Sequence, residues 1–145
     1  ELIRAATEIP VEYDEDGEEG RLIRVLLDQI KAPDQDKLYL PAPKDTRLAR
    51  ICDHLQSDPA DNRTLEDWAK VCGASSRTLA RLFQRETGMP FREWRQKLRL
   101  LHALEKLAND RPVTEIALDL GYETPSAFIA MFRKVTGRTP GSYFR

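Results

Sequence analysis

Two stretches of the chain follow one pattern, "WAKVCGASSRTLARLFQRETG" at 68–88 and "IALDLGYETPSAFIAMFRKVTG" at 116–137. Ala69 matches Ala117, Gly73 matches Gly121, Phe83 matches Phe132 and Gly88 matches Gly137. Ser75 and Thr124 each precede their Phe by eight residues, and Trp94 and Tyr143 each follow the closing glycine by six. The second copy carries one extra residue between its turn glycine and its Phe. An internal repeat constrains architecture more than any single element, because both copies must be satisfied by one local fold.

Each copy has the physics of two helices joined by a tight turn. The small alanine lets the first helix approach the second closely. The glycine ends that helix, since it enters the left-handed region without a Cβ penalty. A hydroxyl then caps the next helix, typically worth ~1 kcal/mol. Helical spacing turns Leu79, Leu82 and Phe83 inward in the first copy and Phe128, Met131 and Phe132 in the second. The opposite side of each second helix is left for a partner. For one copy, a helix pair that packs only for stability competes with a helix-turn-helix that binds something. Two copies joined by a helix of about 20 residues favour the binding unit.

Helical patterns run through the rest of residues 46–145. Leu48, Ile51, Cys52 and Leu55 form one stripe. "TLEDWAKVC" opens on a Thr64 cap, with Leu65, Trp68, Ala69 and Cys72 inward. The connecting helix is expected over 91–109, with Phe91, Trp94, Leu98, Leu101, Leu104 and Leu107 in phase. "VTEIALDL" and a short "PGSYF" complete about seven helices, and no strand pattern occurs. The fold class read from this is all-α: two helix-turn-helix subdomains on a long connecting helix. Upstream, residues 1–32 read as a helical segment in which Leu22, Ile23, Leu26, Leu27 and Ile30 form a stripe that needs a partner, such as a second copy. The stretch 33–45, with three prolines in "PDQDKLYLPAP", reads as an extended linker.

Charge is split along this layout. Residues 1–45 hold 6 Lys/Arg against 12 Asp/Glu, whereas residues 46–145 hold 17 against 12. An acidic arm on a basic domain suits nucleic-acid binding, although a solvated basic face has the same charge. No apolar run reaches the roughly 20 residues of a membrane span, and the chain opens on Glu1 without a signal-peptide pattern, as a fragment of a longer protein would. Cys52 and Cys72 sit at apolar positions and read as small buried hydrophobes of a reducing cytoplasm. There is no Gly-rich phosphate loop, no paired metal ligands, and no nucleophile with a nearby histidine. The expectation is therefore no enzyme, no metal and no cofactor.

Residues 46–145, above all "IALDLGY…SAFIAMFRKVTGRTPGSYFR" with "RLLHALEKL" before it, resemble the DNA-binding domain of AraC/XylS-type bacterial transcription regulators. The resemblance covers about two-thirds of the chain. It implies a cytoplasmic, nucleoid-associated protein bound to double-stranded DNA, with RNA polymerase subunits as further partners. Residues 1–32 would be the tail of a sensor domain that binds any effector. Two recognition helices, about 76–87 and 125–136, would enter successive major grooves about 34 Å apart. A connector of about 18 residues spans about 27 Å, the right scale for that bridge.

In the first reader the expected base-contacting face is Ser76, Arg77, Ala80 and Arg81, with Thr78 beside it. Arginine can bond guanine in a bidentate way, worth ~1–3 kcal/mol of discrimination. In the second reader the corresponding face is Pro125, Ser126, Ile129 and Ala130, which offers methyl packing on thymine and one hydroxyl. Gln84, Arg85, Arg133 and Lys134 are placed for phosphates. Helix starts at Thr64, Thr114 and Thr139 are further phosphate candidates. The rival reading is a module whose helices bind another protein. Salt separates the two, because DNA affinity through several phosphates falls steeply between about 50 and 200 mM.

Overall fold

The computed structural model describes residues 17, 20, 21, 23–25 and 40–144. The remainder of the expected helical segment 1–32, with the stripe positions Leu22, Leu26, Leu27 and Ile30, and the linker through Tyr39 lie outside the described residues. Residues 20, 21 and 23–25 are helical, with Gly20 and Val25 buried and Ile23 half-buried. Six α-helices follow: α1 (Thr46–Ser57), α2 (Leu65–Cys72), α3 (Ser76–Thr87), α4 (Phe91–Ala108), α5 (Val113–Asp119) and α6 (Pro125–Thr136). A 3-10 turn at Pro140–Ser142 closes the chain, and no strand occurs among the described residues. The helices form two compact units whose boundary falls between Arg99 and Leu100, inside α4; the described arm residues belong with the second unit.

The first unit packs α1, α2, α3 and the start of α4. Leu48, Ile51, Leu55, Leu79 and Phe83 are fully buried, and Trp94 is nearly so. Phe83 meets the Phe91 ring at 5.2 Å and the Trp94 ring at 6.3 Å, tilted arrangements that suit the ring quadrupoles. Full burial of each such side chain contributes about 1.5–3 kcal/mol. Residues 40–45, the end of the expected linker, are anchored here. Leu40 packs on the core, Trp94 Nε1 donates to the Pro41 carbonyl at 2.9 Å, and the Lys44 and Asp45 amides both donate to Glu86 Oε2 at 3.1 Å. Asp45 caps α1 by accepting from the Arg47 amide. The Arg47 guanidinium grips the same carboxylate, which holds its pKa down at about 2.

The second unit packs the rest of α4 with α5, α6 and the closing turn. Ile116, Ala117, Leu120, Phe128 and Phe132 are fully buried. Tyr122, Phe128, Phe132, Tyr143 and Phe144 form a chain of ring contacts at 5.2 to 5.8 Å.

Helix α4 does not carry the single stripe expected of it. Its first half buries Phe91, Trp94 and Leu98, but its second half buries Leu100, Ala103, Leu104 and Leu107. Leu101, expected in line, is half-buried. Each half serves its own core, so the stripe shifts phase where the cores change over. The helix also ends at Ala108, one residue before the expected Asn109.

Candidate nucleic-acid interface

Both turns are made as glycine chemistry dictates. Gly73 ends α2 at φ +67°, and Gly121 follows α5 at φ +81°. The Tyr122 amide reaches back to the Ala117 carbonyl at 3.0 Å, a Schellman closure that satisfies an orphan helix-end acceptor. The next helices start on the predicted hydroxyls: Ser75 Oγ accepts from the Thr78 amide at 3.1 Å, and Thr124 Oγ1 from the Ala127 amide at 3.2 Å. Position for position, α3 and α6 then correspond from cap to closing glycine. Even their exits match. Thr87 and Thr136 each donate to the carbonyl four residues back and accept the amide two residues on.

On α3 the core face is Leu79, Leu82, Phe83 and Thr87. Arg77, Ala80, Arg81, Gln84 and Arg85 are exposed on the other side. None of the four long polar side chains makes a hydrogen bond or ion pair among the described residues. Four other arginines of the first unit are committed to the fold, whereas Arg50 and Arg92 are exposed like those of α3. Arg47 binds Asp45, Arg63 binds Asp61, and Arg95 and Arg99 hold loop carbonyls. Ser76 and Thr78 are half-buried, and the Thr78 hydroxyl accepts from Ser75 Oγ at 2.9 Å. That bond ties Thr78 to the cap.

On α6 the same face is small and apolar. Ser126, Ala127 and Ala130 are exposed, while Pro125 is half-buried. Ile129 is only partly available, because its side chain packs on the second core. Its counterpart Ala80 is too short to reach back in this way. Ala127, at the Thr78 position, belongs to the exposed face and was absent from the sequence-predicted set; matching the copies from the cap onward would have found it. Arg133 and Lys134, at the Gln84 and Arg85 positions, are exposed in the last turn.

The three threonines named at helix starts sit in three different settings. Thr64 sits in a complete capping box: its hydroxyl accepts the Asp67 amide, and its own amide donates to Asp67 Oδ2 at 3.0 Å. That backbone bond leads the effects that hold the Asp67 carboxyl below its usual range, so an anion already occupies this helix end and Glu66 stands beside it. A second anion is disfavoured there. Thr114 caps nothing, because Pro112 holds the cap position of α5 without a side-chain bond and Thr114 lies inside the first turn. Thr139 precedes the closing turn, with its hydroxyl 2.8 Å from Ser142 Oγ.

The loop between α1 and α2 is held by residues that periodicity did not flag. Arg99, a buried charge, donates to the Pro59 carbonyl at 2.8 Å and to Asn62 Oδ1 at 2.8 Å. Arg95 reaches the Arg63 carbonyl at 2.7 Å. Arg63 clamps Asp61 at 2.6 Å and lies 3.8 Å over the Trp68 ring. Hydrogen bonds from Arg63, with one from His54, hold the Asp61 carboxyl well below the usual range. His54, Asp58 and Asp61 bring one ligand-type atom each within 4.8 Å of one another. Arg63 Nη2, 3.0 Å from His54 Nε2, supplies the positive charge at that cluster.

Cys52 is buried and its thiol pushed up to about 12 by desolvation. Cys72, expected as buried, is half-buried as the last residue of α2, next to the Gly73 that ends the helix. No described helix is long and apolar enough to cross a membrane.

The family described as a helix-turn-helix domain matches residues 68–145. The chain is 40% identical over 123 residues to the HTH-type transcriptional regulator NimR of Escherichia coli K12, which covers 85% of this chain and 45% of that protein. A Streptomyces antibioticus protein described as an AraC-like transcription regulator is 32% identical over 124 residues, covering 84% of this chain and 41% of its own length. The chain thus spans less than half the length of these two relatives. Among solved structures, the DNA-binding domain of the global transcriptional factor AdpA, in complex with a target DNA, matches with a TM-score of 0.62 at 28% identity, over 66% of this chain and 87% of that one.

Proposed function

Since the chain belongs to the AraC-type family of helix-turn-helix transcription regulators, we propose that it binds double-stranded DNA in a sequence-specific way through α3 and α6 and so regulates transcription. The observation that carries this reading is the outward face of α3, where Arg77, Arg81, Gln84 and Arg85 stand exposed and uncommitted from the first to the last turn of a capped helix. Helix N-terminal residues are the ones that reach base edges when such a helix lies in the major groove. Arg77 and Arg81 read guanine; Gln84 and Arg85, farther along, hold phosphates. The α6 face of Ser126, Ala127 and Ala130, with the exposed part of Ile129, packs on thymine methyls, and Arg133 and Lys134 hold the backbone.

One protomer then meets two major-groove segments of one duplex in an asymmetric site. A sensor portion would precede the arm, RNA polymerase subunits would be the downstream partners, and the protein would act in the cytoplasm. Selection from a random duplex pool, followed by titration of the winner across salt, tests the reading. A defined site is expected, with affinity falling steeply as salt rises. Equal binding of selected and random duplex at every salt would refute it and return the helices to a protein-binding role.

A further inference from the structure

The C-terminal end of α4 is finished by a residue from far upstream. Arg21 Nε donates to the Ala108 carbonyl at 3.0 Å, and Arg21 Nη2 pairs with Asp110 Oδ2 at 2.8 Å. Ala108 is the last residue of α4, so its carbonyl is one of those a helix leaves without an internal partner. A guanidinium there also meets the negative end of the helix dipole. Asp110 is the one described non-glycine residue with positive φ, at +54°, a left-handed conformation that aspartate adopts more readily than most residues. Its amide donates to the Leu107 carbonyl at 3.1 Å and the next amide, of Arg111, to Lys106 at 3.1 Å. That turn delivers the chain to Pro112, the cap of α5, and thus to the second helix-turn-helix. Burial of Gly20 and Val25 on either side of Arg21 shows that the arm is packed here as well as tethered.

We propose that Arg21 is a positioning residue for the second reader: it ties the arm to the end of α4 and holds the Asp110 turn from which α5 and α6 start. A pull on the arm therefore acts on the α6 half of the site. The link to DNA rests on the function proposed above, whereas the link to the turn stands without it.

The test uses the whole chain with three variants, Arg21→Ala, Arg21→Lys and Arg24→Ala, read by amide exchange and by affinity for duplexes in which one half of the selected site is scrambled. Arg21→Ala should speed exchange of the Asp110 and Arg111 amides about tenfold, as expected when a charged hydrogen bond is lost. It should also weaken binding to duplexes that retain the α6 half, with no effect on those that retain only the α3 half. Arg21→Lys, which keeps the ion pair, should recover part of both effects, and Arg24→Ala, which removes the same formal charge, should produce neither. Unchanged exchange at 110–111, equal losses on both halves, or the same loss with Arg24→Ala would overturn the proposal. If the parent chain prefers no duplex, the DNA reading fails by itself, and exchange at 110–111 alone then decides whether Arg21 sets the turn.

Discussion

Helices α3 and α6 share a cap, a core triad, a closing glycine and a threonine at the exit, yet they present unlike faces. The α3 face carries Arg77 and Arg81 where α6 carries Ser126 and Ala130. Frame and face are therefore separable. The frame is set by residues that point inward or bond the backbone, and it tolerates any outward side chain that helix propensity allows. The difference teaches that sharing a fold does not oblige two readers to share a code. Under the proposed function, hydrogen-bonded discrimination would fall to one copy and shape or methyl contact to the other.

The largest effects should come from the frame. Phe83→Ala and Phe132→Ala should each destabilise their own unit by about 3–5 kcal/mol, since both rings are fully buried. The two tryptophans, Trp68 and Trp94, both lie in the first core, so indole fluorescence reports that unit while circular dichroism reports both. Phe83→Ala should lower the fluorescence transition, and Phe132→Ala should lower only part of the dichroism transition. A common shift in both signals would mean that the copies are not separate cores.

On the face, Arg81→Ala should reduce specific affinity by about 1–3 kcal/mol and relax a G·C preference in one half of the site. The converse graft, Ser126→Arg with Ala130→Arg, should create a G·C preference in the other half. Selection from a random pool checks both, and an unchanged consensus after the graft would break the equivalence of the two faces. Arg85→Ala and Lys134→Ala should weaken binding uniformly across sequences, each reducing the salt slope by about one. The smallest effect is expected for Ile129→Ala, about 1 kcal/mol or less on binding, because part of that side chain already faces the core. A loss as large as that of Arg81→Ala would promote α6 to an equal reader.

Much of this comparison is legible in the sequence because it rests on local rules. Both reader helices lie where cap and glycine place them, and all six predicted inward residues are buried. What escaped needs tertiary information. Helical period marks Arg99 as polar and outward, but the carbonyls that bury it come from a loop some 40 residues away in the chain. The change of stripe from Leu98 to Leu100 requires knowing that α4 serves two cores. Thr114 does not open its helix, because Pro112 holds the cap position two residues earlier than the hydroxyl suggests. Ala127 was missed because a methyl among apolar neighbours gives no signal unless the copies are aligned from their caps.

The boundary between the units has a practical consequence. It falls between Arg99 and Leu100, in the middle of α4, where Leu98, Arg99 and Leu100 are all buried. A protease needs an accessible, pliable segment, and an experimenter seeking a stable half-protein needs a loop to cut. This boundary offers neither. Any truncation meant to isolate one reader has to keep α4 whole and will carry, as bare apolar surface, the stripe that belonged to the other core. Apparent insolubility of such a half would report the surface left by the cut, with no bearing on whether that reader folds.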